Sequence, residues 1–471
     1  MRTHCLLSIV ALAFTTALPA QGTTYLIDNV NVVDVAAGRV NVGQSVVVSG
    51  SRITAVGAAS AVQPPNGAIV VDGNGKFLIP GLWDMHVHVA SGTTAPAMFT
   101  LFLANGITGV RDMGTTVEAL LTLRSAVAAG QLTGPRIVGA GVLVDGAPIV
   151  YPGITQLVTT PDEARKAVDA LAARGVNFIK AYEMLRPEVY KALAEQAKAR
   201  HLPFAGHLPL MVSAEDAVRA GHKSFEHLRN LEIACSSKAD SVRAVATQMI
   251  AAGNGEPGMR LRSSIHAALR PRAWDTYDEV RCNALIGQMA QAGAWQTPNL
   301  VLGSQGFFRH DTTQFTQRWM KYLPEPMRTS FTRPVAGAQQ QAGPGFGRGA
   351  NWMLRLTKML HDGGVKVLPG SDFPNPIMIP GASLHEELAL LVRAGLTPAE
   401  ALRAGTLNPA EYLGMTDSLG TIAPGKLAEL VLLDANPLEN IRNVARVQAV
   451  WRGGRYLDRR AIDGMLAKLV Q

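Results

Sequence analysis

The sequence predicts an α/β fold: a (β/α)8 barrel with a small β-sandwich domain built from both chain ends. Three observations predict it. Short apolar runs alternate with helical stretches through the middle of the chain. The two ends are instead rich in Val and Ile and broken by Gly and Asn. The 471 residues, 47% hydrophobic and 17% charged, suffice for one large core and a smaller one.

Residues 1–20, MRTHCLLSIVALAFTTALPA, read as a signal peptide. Arg2 makes a positive start, Cys5 to Leu18 is mostly apolar, and Ala17-Leu18-Pro19-Ala20 supplies small residues for cleavage after Ala20. The run is too short for a good spanning helix. The expectation is a secreted or periplasmic protein with no membrane attachment after cleavage.

Residues 21–78 form the N-terminal part of the β-sandwich, in runs such as "YLIDNVNVVDV" and "QSVVVSGSRITAVG". Residues 411–471, with "AELVLLDANP" and "VQAVWRGGRYL", form its C-terminal part and a tail. The barrel fills 79–410. Its strands are "FLIPGLWDMHVH", "GITGVRDMG", "PRIVGAG", "VNFIKAYE", "LPFAGHLP", "KSFEHL", "AWQTPNLVL" and "GGVKVLPGSDFP". Helical runs separate them; Thr160 followed by Asp162 and Glu163 marks one helix start. Two segments break the rhythm, Glu232 to Ala294 and Gly303 to Asn351. Both leave the face where barrel enzymes do chemistry, so they are candidate pocket walls or lids.

The net charge of +8 is scattered, without a basic stripe interleaved with aromatics. A nucleic-acid partner is not expected. A small-molecule or peptide substrate is, and a homo-oligomer stays open. Cys235 and Cys282 remain after leader removal. In an oxidising compartment they are expected to form one disulfide, worth ~4 kcal/mol in the entropic model; two separate buried thiols are the alternative.

The chemistry collects at strand ends. In "DMHVH", His86 and His88 are two apart, so strand geometry points both the same way. Alone this pair is a weak signal. Strand four adds Lys180, strand five His207, strand six His227 and strand eight Asp372. Four histidines, a lysine and an aspartate at five strand ends make a metal site the natural reading. His86, His88 and Asp372 would hold one divalent ion, and His207 and His227 a second. Two ions need an anionic bridge. Lys180 becomes one if carbon dioxide adds to its amine as a carbamate. Nitrogen and oxygen ligands without thiolate suit zinc first, with manganese, cobalt or iron as alternatives.

These residues resemble the amidohydrolase superfamily, in its binuclear form with a carboxylated lysine. "DMHVH", "FIKAY", "GHLP", "EHL" and "GSDFP" carry the resemblance in that order, with "SLGTIAPGKLAELVLLDANP" near the C-terminus. "GITGVRDMG" and "SLHEELALLVRAGLTPAEALRAGTLNPAEYLG" are similar to the imidazolonepropionase-related and Xaa-Pro dipeptidase (prolidase) branch. Imidazolonepropionases are mononuclear and lack the strand-four lysine, so Lys180 favours the peptidase side.

The resemblance implies hydrolysis of an amide, in a dipeptide or N-acyl amino acid, by a metal-bridging hydroxide. Asp372 would take the proton and pass it to the leaving amine. Tyr182, two residues after Lys180, would donate to the tetrahedral oxyanion and contact substrate. Arg111 and His385 are further candidate substrate-binding residues. His201, His222, His266, His310 and His361 are expected to be surface or packing residues. Lactonase, ochratoxinase-like amidase and ring-opening or deaminating activity on the same site are alternatives. Deamination is disfavoured because Glu226, next to His227, should point away from the barrel. A catalytically inactive binding protein would have lost a ligand, and all six are present.

Overall fold

The computed structural model describes residues 22–89, 94–253, 255–303, 318–329, 331, 344–376 and 378–470. The expected signal peptide and much of the second insertion lie outside these residues.

Both chain ends join one eight-stranded sheet. Thr24–Asp34 pairs antiparallel with Arg39–Ser49, and that strand with Arg52–Ala58. On its other side Thr24–Asp34 runs parallel to Ile69–Asp72 and Phe77–Pro80. Phe77–Pro80 then pairs antiparallel with Leu430–Leu433, which opposes Val447–Arg452. Alternation puts Val46, Val48, Leu78, Leu430 and Leu432 into a shared apolar cluster with Trp451. The chain therefore enters the central unit at Pro80 and returns to the same sheet at Leu430.

Each of the eight expected barrel runs contains a strand that pairs parallel; in the first run only Leu82–Val87 does so, since Phe77–Pro80 joins the sheet of the chain ends. Leu82–Val87, Ile107–Asp112 and Arg136–Gly139 make one group. Leu143–Asp145, Ile179–Ala181, Phe204–Gly206, Ser224–Glu226, Trp295–Thr297 and Lys366–Val367 make the other, with Thr155–Leu157 added at its edge beside Leu143–Asp145. Arg136–Gly139 is the third run, and Leu143–Asp145 is a further strand just beyond it; Asn177 N–H donates to the Gly139 carbonyl at 2.9 Å across the break between the groups. At the other junction Met85 N–H donates to Pro369 at 2.9 Å, Asp372 N–H to His86 at 2.7 Å, and His88 N–H to Phe373 at 2.7 Å. These bonds tie the first strand to the end of the last, an arrangement consistent with a (β/α)8 barrel.

The helix Pro161–Ala173 starts where Thr160 predicts it. Thr160 and Glu163 form a capping box, and Ala164, Ala167, Val168 and Leu171 face the core. The first insertion folds into the helices Ala239–Ala252, Gly258–Asp275 and Glu279–Gln291. Cys235 and Cys282 are joined by a disulfide across this insertion. Among the described residues no helix is long and apolar enough to cross a membrane.

Candidate metal centre

His86 and His88 lie at the end of the first barrel strand, and both rings turn into one cavity of about 400 Å3. Lys180, Tyr182, His207, His227 and Asp372 line the same cavity. All six ligand candidates therefore meet, although they are spread over 287 positions of sequence. Asp372 Oδ1 stands 3.4 Å from His86 Nε2 and 3.2 Å from His88 Nε2, and its Oδ2 stands 3.9 Å from His227 Nε2. The His207 and His227 rings are 4.7 Å apart, centre to centre.

The proton positions decide what can sit there. His88 Nδ1 lies 2.8 Å from the Gly114 carbonyl, which can only accept, so Nδ1 donates. His86 Nδ1 donates to Glu226 at 2.7 Å, and His207 Nδ1 to Glu183 at 2.8 Å. Each neutral ring then presents the Nε2 lone pair to the cavity. Two such lone pairs aimed at one carboxylate oxygen repel unless a cation lies between them. Burial first, then neighbouring positive groups, hold His86, His207 and His227 well below the usual histidine range. Burial also depresses His88, but its bond to Asp372 and the charges of Asp372 and Asp112 outweigh that and raise it. A proton on His88 and a metal thus compete for one position. The donor set fits divalent metals.

Backbone strain places two of these groups. His227 and Asp372 adopt φ of +60° and +57°, uncommon for residues with a Cβ. Asp84 fixes the second. Its carboxylate accepts from Ser371 N–H at 2.9 Å and Ser371 Oγ at 2.6 Å, beside the cavity-lining Asp372. Lys180 is almost fully buried, and burial holds its amine down at about 8 against the pull of Glu226 and Asp372.

Several expectations are corrected. Arg111 does not reach substrate space. It is fully buried and donates to Met85, Ser224, Tyr412, Glu226 and Thr297, which satisfies its whole fork. His385 is buried away from the cavity, with Nε2 2.8 Å from the Asn105 carbonyl. Glu226 points inward, not away, because the left-handed turn at His227 breaks strand alternation. It is held by His86, Arg111 and Ser224, so it is engaged as a support and not offered to substrate. His266 is no packing residue either: its Nε2 lies 2.6 Å from Glu183. His222 is buried between Tyr190 and the Gly206 carbonyl, His361 faces Glu400 at 3.3 Å, and His310 lies outside the described residues.

Sequence reasoning missed the supports Glu183, Arg262 and His266. Arg262 Nε donates to Glu183 at 2.7 Å, so both insertion residues converge on the carboxylate that orients His207. Only Glu183 had a signal, an acid three residues past Lys180 in an otherwise apolar run.

An adenine deaminase 2 of Jannaschia sp. (strain CCS1) is 41% identical over 78 residues, 16% of this chain and 12% of that protein. An imidazolonepropionase of Deinococcus deserti is 39% identical over 101 residues, 21% of this chain and 25% of that protein. The matches thus span a quarter or less of these curated relatives. A solved Xaa-Pro dipeptidase with methionine bound in its active site superposes with a TM-score of 0.65 at 19% identity, covering 93% of this chain and all of that one. The family model for the amidohydrolase family matches residues 77–254 and 352–457, more than half of the chain. The chain belongs to the amidohydrolase family.

Proposed function

We propose that this chain is a binuclear metal-dependent hydrolase that cleaves the amide bond of a dipeptide or an N-acyl amino acid outside the cytoplasm. The observation that carries the reading is the convergence of the His86 and His88 lone pairs on Asp372 Oδ1, at 3.4 and 3.2 Å. His86, His88 and Asp372 would hold one ion, and His207 and His227 the other. Zinc suits these ligands, with manganese, cobalt or iron as alternatives. Divalent ions held there supply Lewis acidity, which acidifies water and polarises a carbonyl.

The chain's own groups supply the rest. An amine must be neutral to add carbon dioxide, and Lys180, lowered to about 8, has a neutral fraction at mild pH. Its carbamate would be the anion between the two ions. Asp372 takes the proton of the attacking water and returns it to the leaving amine. Burial keeps the Tyr182 phenol protonated, which suits a donor to the developing oxyanion. The cavity of about 400 Å3, with Leu143, Tyr151 and Ile154 on one wall, suits a dipeptide-sized ligand. The Cys235–Cys282 disulfide supports an oxidising compartment.

The test is metal content by elemental analysis of protein purified with bicarbonate, alongside Lys180→Ala. About two metals per chain, falling sharply in the variant, is the expected result. One metal per chain, unchanged by the substitution, would overturn the bridge. It would direct the substrate screen from Xaa-Pro dipeptides and N-acyl amino acids to ring hydrolysis and deamination.

A further inference from the structure

A second cavity, of about 410 Å3, adjoins the first. His227, Arg229 and Leu302 line both, so the two share a wall at the metal site. The far walls are Leu228, Trp274, Trp352 and Met353. Trp274 comes from the first insertion, and Trp352 from the helix Pro344–Asp362 beyond the second. Aromatic faces and a thioether are the usual lining for a flat apolar group. The cavity also carries polar atoms. Nε1 of Trp274, Nε1 of Trp352 and both amide atoms of Asn299 are buried without a hydrogen-bond partner among the described residues. Asn299 is fully buried and lines this cavity.

The charges at the junction do not balance. Arg262 bonds Glu183 at 2.7 Å, and Arg270 bonds Glu232 at 3.0 Å. Arg229 stands 3.7 Å from Glu183, which Arg262 and His266 already occupy. Its Nε has no hydrogen-bond partner among the described residues. Three guanidiniums thus share two carboxylates, and Arg229 is the one left short, facing both cavities.

We propose that Arg229 anchors the carboxylate of the substrate's amine-side residue, and that the second cavity receives that residue's aromatic side chain. The substrate class is then an N-acyl aromatic amino acid or a dipeptide ending in one. This inference rests on the amide-hydrolase reading above and narrows it. A residue bound at Arg229 directs its amide nitrogen toward the metal ligands and its side chain past Arg229. A proline ring is tied back to its own nitrogen and would leave the second cavity unfilled.

The experiment reads binding without turnover. Metal-loaded protein is titrated calorimetrically with hydrocinnamate, with propionate, which lacks the ring, and with hydrocinnamyl alcohol, which lacks the carboxylate. Hydrocinnamate should bind more tightly than either by on the order of tenfold. Trp352→Ala should collapse the advantage over propionate, and Trp352→Phe should keep most of it. Arg229→Gln should collapse the advantage over the alcohol. Equal binding of hydrocinnamate and propionate, or ratios untouched by the substitutions, would overturn the subsite. Hydrolysis of N-acetyl-phenylalanine and N-acetyl-proline separates the two readings. Hydrolysis of both at equal rates removes the subsite and keeps the reaction. Absence of hydrolysis with the binding pattern intact removes the reaction and keeps the subsite.

Discussion

Glu183 shows how much of this site is held from behind. It is fully buried, and it accepts from His207, Arg262 and His266 at 2.6 to 2.8 Å. The Arg262 charge, with the bonds from His266 and His207, holds its carboxyl well below the usual range despite burial. It is therefore ionised, and it fixes which His207 nitrogen faces the cavity. Glu183→Gln keeps the shape and removes the charge. Arg262 then keeps a buried charge beside a neutral amide. Stability should fall by about 3 kcal/mol, read from urea unfolding of metal-free protein. Affinity for the metal should fall by about 10- to 100-fold, read by competition with a chelating dye. A loss of stability with unchanged metal affinity would show that Glu183 serves the fold alone. Glu226 plays the matching part behind His86, and there the counter-charge is Arg111. Arg111 was expected at the substrate because a charged strand-end residue in a barrel commonly faces the mouth. Its neighbours decide otherwise: five groups inside the ring consume all its donors.

Among the elements, the insertion between strands six and seven supplies the support behind His207. Its helix Gly258–Asp275 delivers Arg262 and His266 to Glu183. The Cys235–Cys282 disulfide closes a loop of sequence separation 47 around that helix. Replacing both cysteines with serine should lower stability by ~4 kcal/mol, measured by thermal or urea unfolding. An unchanged midpoint would mean that the surrounding packing alone holds the insertion. The barrel strands and the capped helix at Thr160 were legible because their signals are local: apolar runs of strand length, and Thr160 with Glu163 three residues on. The six ligand candidates were legible because strand ends gather side chains at one mouth. The roles of His266 and Arg262 were not, since nothing local says where an inserted helix docks. Glu226 was misread for a related reason. Period-two alternation holds only while the backbone stays extended, and His227 leaves it at φ +60°.

On the scale of the whole molecule, the ring of strands closes by buried polar bonds, and those bonds carry a pH dependence. Glu387, on the helix Ala382–Ala394 after the last strand, is fully buried. One of its oxygens accepts from Val301 N–H at 2.7 Å, which joins that helix to the residues following strand seven. Burial raises its pKa from 4.5 to about 8; bonds from Val301 and Leu300 oppose this, and Asp84 adds to it. The folded state therefore keeps a proton that the unfolded chain releases near 4.5. Stability contributed by this proton is full below pH 4.5 and is lost as pH rises to about 8, where the folded protein ionises too. Glu387→Gln has no proton to lose. Relative to the native protein, the variant should gain stability between pH 5 and pH 8, by on the order of a few kcal/mol. Asp84, raised to about 7 chiefly by burial, gives a slope of the same sign, but it is present in both proteins and enters the difference only through its coupling to Glu387. Denaturant unfolding at the two pH values, on metal-free protein, measures that difference directly. Parallel stability curves for the two proteins would mean that Glu387 ionises in the fold as it does in the open chain, and that water reaches the junction of strands seven and eight.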